Sequence, residues 1–196
     1  SMAYYSGCKI KYAGGPPPAL LLHASGILCH RKAILFAGPS EIGKTTVASL
    51  CGERFGEVIN DEMVLVTRPG SNGTGISVQG VPIIGGTPWM RNVTAPLSHI
   101  LLLKQSSETR VNHLDKSGVY LRLIRQVVNP AYIGQKNGRD VYSLMADFSS
   151  ELVANIPVDE LEFTLDKEAL CRTLEKLEES KVRLGENDHK KYISCR

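Results

Sequence analysis

Covalent staples and metal clusters are what this sequence most lacks. Its five cysteines, Cys8, Cys29, Cys51, Cys171 and Cys195, are odd in number, widely spaced and without any Cys-x-x-Cys pair. Neither a disulfide framework nor a zinc site is expected, and a reducing, cytoplasmic setting fits best. No apolar run approaches the roughly 18 residues needed to span a bilayer, and the N-terminus carries no charged-then-apolar signal, so no membrane partner is expected. The formal net charge of +3 is too small to argue for nucleic acid. The concentrated basic stretch, Lys190 and Lys191 with His189 before it, reads as a solvated tail. No internal repeat or low-complexity tract is visible.

What is present suits one globular unit: 196 residues with 42% hydrophobic content allow a sizeable core. The run Gly14-Gly15-Pro16-Pro17-Pro18 sets off a leader over 1–18, a candidate edge strand, from a single domain over 19–180 and a polar tail over 181–196. Strands are expected over Ala24–Cys29 and Ala33–Ala37 with a turn at His30-Arg31-Lys32, then at Val58-Ile59 and Met63–Val66, Leu97–Leu103 and Val158–Phe163. Helices are expected after residue 45, over Val119–Val128, over Asp140–Asn155 and from about Lys167 to Ser180. The stretch Thr67–Thr87 is rich in turn formers and reads as hairpins and loops, with Pro88–Asn92 as an exposed turn.

The strongest chemical signal is Gly38-Pro39-Ser40-Glu41-Ile42-Gly43-Lys44-Thr45, a full match to the phosphate-binding loop pattern. The apolar run Ala33–Ala37 precedes it and an apolar helical segment, Thr46–Cys51, follows, which is the strand-to-helix context the pattern requires. Glycines let the backbone turn its N–H groups inward on phosphate oxygens, and the helix offers its positive end. Lys44 would reach the outer phosphates as a point charge, and the Thr45 hydroxyl is placed to ligate a bridging magnesium ion, with Thr46 as a weaker substitute. The bland alternative is a Gly/Ser/Pro turn that fits the pattern by chance.

The second signal is Asn60-Asp61-Glu62, flanked by apolar residues. An acid at the end of the strand after a phosphate loop can hold magnesium through water or accept a proton from an attacking hydroxyl, provided it faces the loop. An exposed hairpin acid is the competing explanation.

The order His23-Ala24-Ser25-Gly26-Ile27-Leu28, Gly38 to Thr45, then Asp61-Glu62 resembles the HPr kinase/phosphorylase family and its smaller relatives, which share a nucleotide-binding core with phosphoenolpyruvate carboxykinase. Gly86-Thr87-Pro88-Trp89, Ala95-Pro96-Leu97 and Ile156-Pro157-Val158 extend the resemblance over most of 19–165. It implies an α/β fold, a mixed sheet with a P-loop at its edge, ATP and Mg2+ as ligands, and phosphoryl transfer to a hydroxyl of a protein, peptide or small molecule. By the same resemblance Asp61 would be the general base, Glu62 would organise the metal that Thr45 ligates, and His23 would orient or tune Asp61. For His23 a satisfied strand histidine remains an equal alternative.

Two departures qualify that expectation. Glu41 stands where the family's loop usually has glycine, adding negative charge near phosphates and a side chain that makes positive φ costly. Ser77-Val78-Gln79-Gly80-Val81-Pro82 stands where the bifunctional enzymes carry Glu-x-Arg-Gly-x-Gly, which speaks against assuming their reverse reaction or their protein substrate. A non-catalytic nucleotide-binding regulatory module and a generic nucleotide hydrolase therefore stay open beside the kinase, as does oligomerisation. Arg122 and Arg125 read as a solvated helix face or an acidic-acceptor site, Arg91 and Asn92 as better loop candidates, and Trp89 as a stacking platform or a core plug. His99 and His113 have no metal-like partners at useful spacing and read as structural.

Overall fold

In the computed structural model of the protein, residues 19–68, 75–81, 92–128 and 138–179 are described, without the side chains of 138–142 and 144. The leader, the tail, Trp89 and Arg91 lie outside the described residues. The strands are β1 (Ala19–Leu22), β2 (Ala24–Cys29), β3 (Lys32–Ala37), β4 (Gly56–Asn60), β5 (Val64–Thr67), β6 (Ser77–Gly80), β7 (Thr94–Gln105), β8 (Arg110–Asn112) and β9 (Val158–Phe163). The helices are α1 (Lys44–Phe55), α2 (Lys116–Ile124), α3 (Gly138–Asn155) and α4 over 167–179. This is a mixed α/β fold.

The central sheet runs β4-β2-β3-β7-β9-β8, with β3, β7 and β9 mutually parallel and the remaining pairs antiparallel. Its middle strands are nearly continuous apolar runs because both faces are covered. On one face Ile34, Phe36, Leu101, Leu103, Leu161 and Phe163 pack against Val47, Ala48 and Cys51 of α1 and Leu170 and Leu174 of α4. On the other, Leu35, Ala37, Ile100 and Leu102 meet the small antiparallel layer β1-β5-β6 together with α2 and α3. The long β7 belongs to both layers: its start pairs with β6, and its later residues lie between β3 and β9.

Two chain reversals and two corners fix the site. His30 (φ 47) and Arg31 (φ 66) close the β2–β3 hairpin in two residues, so Lys32, read as part of the turn, instead pairs with Cys29 in the ladder. Positive φ at both positions matches the twist that a two-residue hairpin needs. The chain passes from the small layer to the central sheet at His23, between β1 and β2, and returns to the small layer over Asp61–Met63, between β4 and β5.

The helix expected over Val119–Val128 starts earlier and stops sooner. Asp115 caps it by accepting from the N–H groups of Ser117 and Gly118. At its end Val127 bridges Leu22, and Val128 N–H donates to the Leu21 carbonyl at 2.8 Å, so β-branched residues that fit the apolar period are drawn into strand pairing.

Candidate functional site

The loop over residues 38–43 leaves the C-terminal end of β3, an interior strand, and delivers the chain into α1. Gly43 precedes the helix at φ 111, and a Cβ there would come within 3.1 Å of the Phe163 ring, so both backbone and packing require glycine. The first helical N–H to find a backbone partner is that of Val47, which donates to Gly43 O at 2.9 Å. Among the described residues, the N–H groups of Ser40, Glu41, Gly43, Lys44, Thr45 and Thr46 donate to no protein acceptor. A turn of unspent donors at a helix start is a concavity suited to an anion.

Lys44 is 6% exposed. Its Nζ curls back over the loop and donates to the carbonyls of Gly38 and Pro39, each at 3.0 Å. Burial pulls its pKa below the ordinary lysine value, while the Glu62 carboxylate works against that pull. The Lys44 carbonyl in turn accepts from Ser25 Oγ at 2.8 Å, which ties the start of α1 to β2. Pro39, Ser40, Glu41 and Thr46 face solvent, and Ile42 and Thr45 are half-buried.

Glu41 takes φ 64, the positive-φ conformation its side chain was expected to resist. It is exposed, and its carboxylate makes no ion pair among the described residues.

The corner after β4 comes to the same place. Thr45 Oγ1 donates to the backbone carbonyl of Asp61 at 3.3 Å. Asp61 is 1% exposed, whereas Glu62 is half-buried. The corner is shaped by Asn60: its Oδ1 accepts from the N–H groups of Glu62 (2.9 Å) and Met63 (3.0 Å), and its Nδ2 donates to Val81 O at 2.9 Å. This is an asparagine mimicking a backbone turn. The fully buried Asn60 side chain therefore fixes the backbone of the corner that carries both acids.

His23 occupies the other corner, its backbone N–H donating to Gln126 O at 2.8 Å. Its Nε2 lies 3.2 Å from Glu62 Oε1, so the histidine expected to orient Asp61 pairs with Glu62 instead. Burial and, second, the Lys44 charge hold the imidazole pKa below its usual value against the opposing pull of Glu62. A neutral ring donating Nε2–H to the carboxylate follows.

The structure thus gathers His23, the 38–46 loop, Asp61 and Glu62 in one place. Ser25 and Asn60 complete it. Ser25 carried no signal of its own, while Asn60 had one: an Asx residue directly before an acidic pair at a strand end. Arg122, read as solvated or acceptor-binding, is committed to Glu160 at 2.6 Å, and Arg125 is exposed just beyond α2. The segment standing in for the charged signature is β6, an interior strand of the small layer, and the neighbouring Val81 supplies the carbonyl that holds Asn60.

Magnesium characteristically takes a hydroxyl, one or two carboxylates, and phosphate oxygens rather than an all-protein cage. Thr45, Asp61 and Glu62 offer that donor set. Among the described residues no group of three or more His, Cys, Asp or Glu is arranged to hold a metal alone, and no helix is long and apolar enough to cross a membrane.

No protein-family model matches the chain, and no curated protein matches it significantly in sequence. Among solved structures, the Hpr(Ser) kinase/phosphatase from Coxiella burnetii is similar over 90% of this chain and 99% of that chain, at 11% identity and a TM-score of 0.46. So distant a likeness carries no argument about activity.

Proposed function

We propose that the protein is an ATP-dependent phosphotransferase that moves the γ-phosphoryl group to a hydroxyl of a protein, peptide or small molecule. The observation that carries this reading is the meeting of two chain segments. The glycine-bounded loop, with its unspent N–H groups and Lys44, lies beside a corner bearing two carboxylates, and the Thr45–Asp61 hydrogen bond joins them. A loop alone would serve for binding, and the buried acid beside it is what phosphoryl transfer to a hydroxyl additionally needs.

In this reading the loop amides and Lys44 hold the triphosphate, and Thr45, Asp61 and Glu62 hold magnesium. When bound, the ion neutralises charge on the phosphates. To engage a phosphate, Lys44 exchanges its bonds to the Gly38 and Pro39 carbonyls for phosphate oxygens, a short swing of the side chain's end. Asp61 accepts the acceptor's proton, and the neutral His23 steadies Glu62 without adding a competing cation. The ready nucleotide site and the acid at its rim would act in a reducing, cytoplasmic compartment.

Calorimetry with ATP and magnesium tests the binding half of this reading. The wild-type chain is expected to show magnesium-dependent affinity that Lys44→Ala lowers about tenfold to a hundredfold, the worth of a charge-assisted hydrogen bond. No magnesium-dependent affinity at millimolar nucleotide would end it.

The solvent-facing Glu41 in the loop favours one second reading, a regulatory module that binds nucleotide without transfer. Incubation with labelled ATP separates the two: label transferred to an acceptor, or slow release of inorganic phosphate that Asp61→Asn abolishes, supports the enzyme. Tight binding with neither supports the module.

A further inference from the structure

Asp159 is the second residue of β9, so it lies at the opposite end of the parallel strands from the 38–43 loop. Each of its carboxylate oxygens meets an imidazole. His99 Nε2 stands 2.6 Å from Oδ2, and His113 Nδ1 stands 2.7 Å from Oδ1. His99 and Asp159 are buried, whereas the His113 side chain is 85% exposed. Burial works against the charge on Asp159, but the hydrogen bonds from the two rings outweigh it and hold the carboxyl below the ordinary aspartate range.

An ionised carboxylate can only accept, so His113 donates through Nδ1–H and its neutral ring is held as that tautomer. The lone pair then sits on Nε2, across the ring from Asp159, in a side chain that is almost wholly open to solvent. Such a lone pair has nothing to offer the oxygens of an anion, but it is a nucleophile. When it bonds to an electrophile the ring becomes a cation, and Asp159 is the counter-ion already hydrogen-bonded to it. His30 supplies a contrast within the same chain. It is exposed in the β2–β3 turn, and its ring makes no hydrogen bond or ion pair among the described residues. Without an anchor, its proton is divided between the two nitrogens.

We infer that Nε2 of His113, anchored through Nδ1 to a carboxylate that His99 shares, is a phosphorylation site loaded by a phosphoramidate-class donor and separate from the nucleotide loop. The Nε2 lone pair forms the new N–P bond as the donor's P–N bond breaks. The donor nitrogen, protonated beforehand, leaves with the bonding pair as ammonia or an amine. His113 keeps its Nδ1 proton, and the resulting ring cation pairs with Asp159. One P–N bond replaces another, so the step calls for no further co-reactant. The phosphoryl oxygens project into water, which solvates their charge without a cluster of cations.

The test incubates the full chain with potassium phosphoramidate, without nucleotide, and follows the loading of each histidine by phosphorus and imidazole-nitrogen NMR. Before reaction, neutral His113 is expected as the Nδ1–H tautomer. Loading of His113 should occur at Nε2 and run about tenfold faster than loading of His30, the worth of a charge-assisted hydrogen bond that strengthens as the ring becomes cationic. His113→Gln should remove the fast signal and leave the slow loading of His30 unchanged, and Asp159→Asn should bring His113 down toward the His30 rate. An Nε2–H tautomer before reaction, loading at Nδ1 of His113, or a His113 rate no faster than that of His30 would overturn the site. All three outcomes are read on the wild-type protein, so a variant that failed to fold would not spare the proposal.

Discussion

Glu41 sits at φ 64 in the loop, and a side chain in that conformation costs free energy that glycine does not. Its carboxylate has no partner among the described residues to lose. Glu41→Gly is therefore expected to leave ATP binding intact or tighten it, because a negative charge near the phosphates is removed. Calorimetry on the variant checks this, and a severe loss of affinity would mean that Glu41 shapes the loop. Asp61→Asn keeps size but removes the proton acceptor, so transfer or slow hydrolysis should fall about 10²–10⁴-fold while ATP affinity changes far less. Equal rates in both proteins would remove Asp61 as the base. At this scale much could be read from the sequence, because Gly38 to Thr45 is a local pattern and its spacing is the geometry. His99, His113 and Asp159 could not be read in the same way. Their hydrogen bonds depend on strand register between β7 and β9 and on where β8 ends, which no local spacing encodes.

Among the elements, the β2–β3 hairpin carries a turn whose conformation its residues do not favour. His30 and Arg31 hold positive φ at the two positions where Asn-Gly is preferred. Replacing them with Asn and Gly should raise stability by about 1 kcal/mol, read from the urea midpoint at unchanged slope. The opposite sign is expected at the loop–α1 junction. Gly43→Ala adds a methyl at φ 111 against the Phe163 ring and should cost about 1–3 kcal/mol. A neutral result in thermal melts would show that the junction is softer than its geometry implies. Strands were legible where a continuous apolar run met a turn signal, as in β3, whereas β9 carries three acids among its apolar residues. The end of α2 was not: Val127 and Val128 continue the helical period, yet the backbone of β1 takes them as strand partners.

For the whole molecule, the His99–Asp159–His113 cluster ties β7, β9 and the segment after β8 together. Asp159 has a folded-state pKa below its ordinary value, so the unfolded chain takes up a proton first as pH falls. The resulting stability is fully present above the unfolded aspartate value and is lost progressively below about pH 4. Urea midpoints across the acid range should therefore fall more steeply for the wild type than for Asp159→Asn, and parallel profiles would contradict this. The layering of the fold was less legible than its strands, because a sequence read in order does not reveal that one strand serves two sheets. That double service also governs how the molecule comes apart. β7 gives Thr94–Pro96 to the small layer and Leu97–Gln105 to the central sheet, so neither layer can lose its ladder without freeing part of the same strand. Amide deuterium exchange should record it: the N–H groups of Ile100–Leu102, with neighbours on both sides, should exchange only through global opening, and both layers should share one cooperative transition.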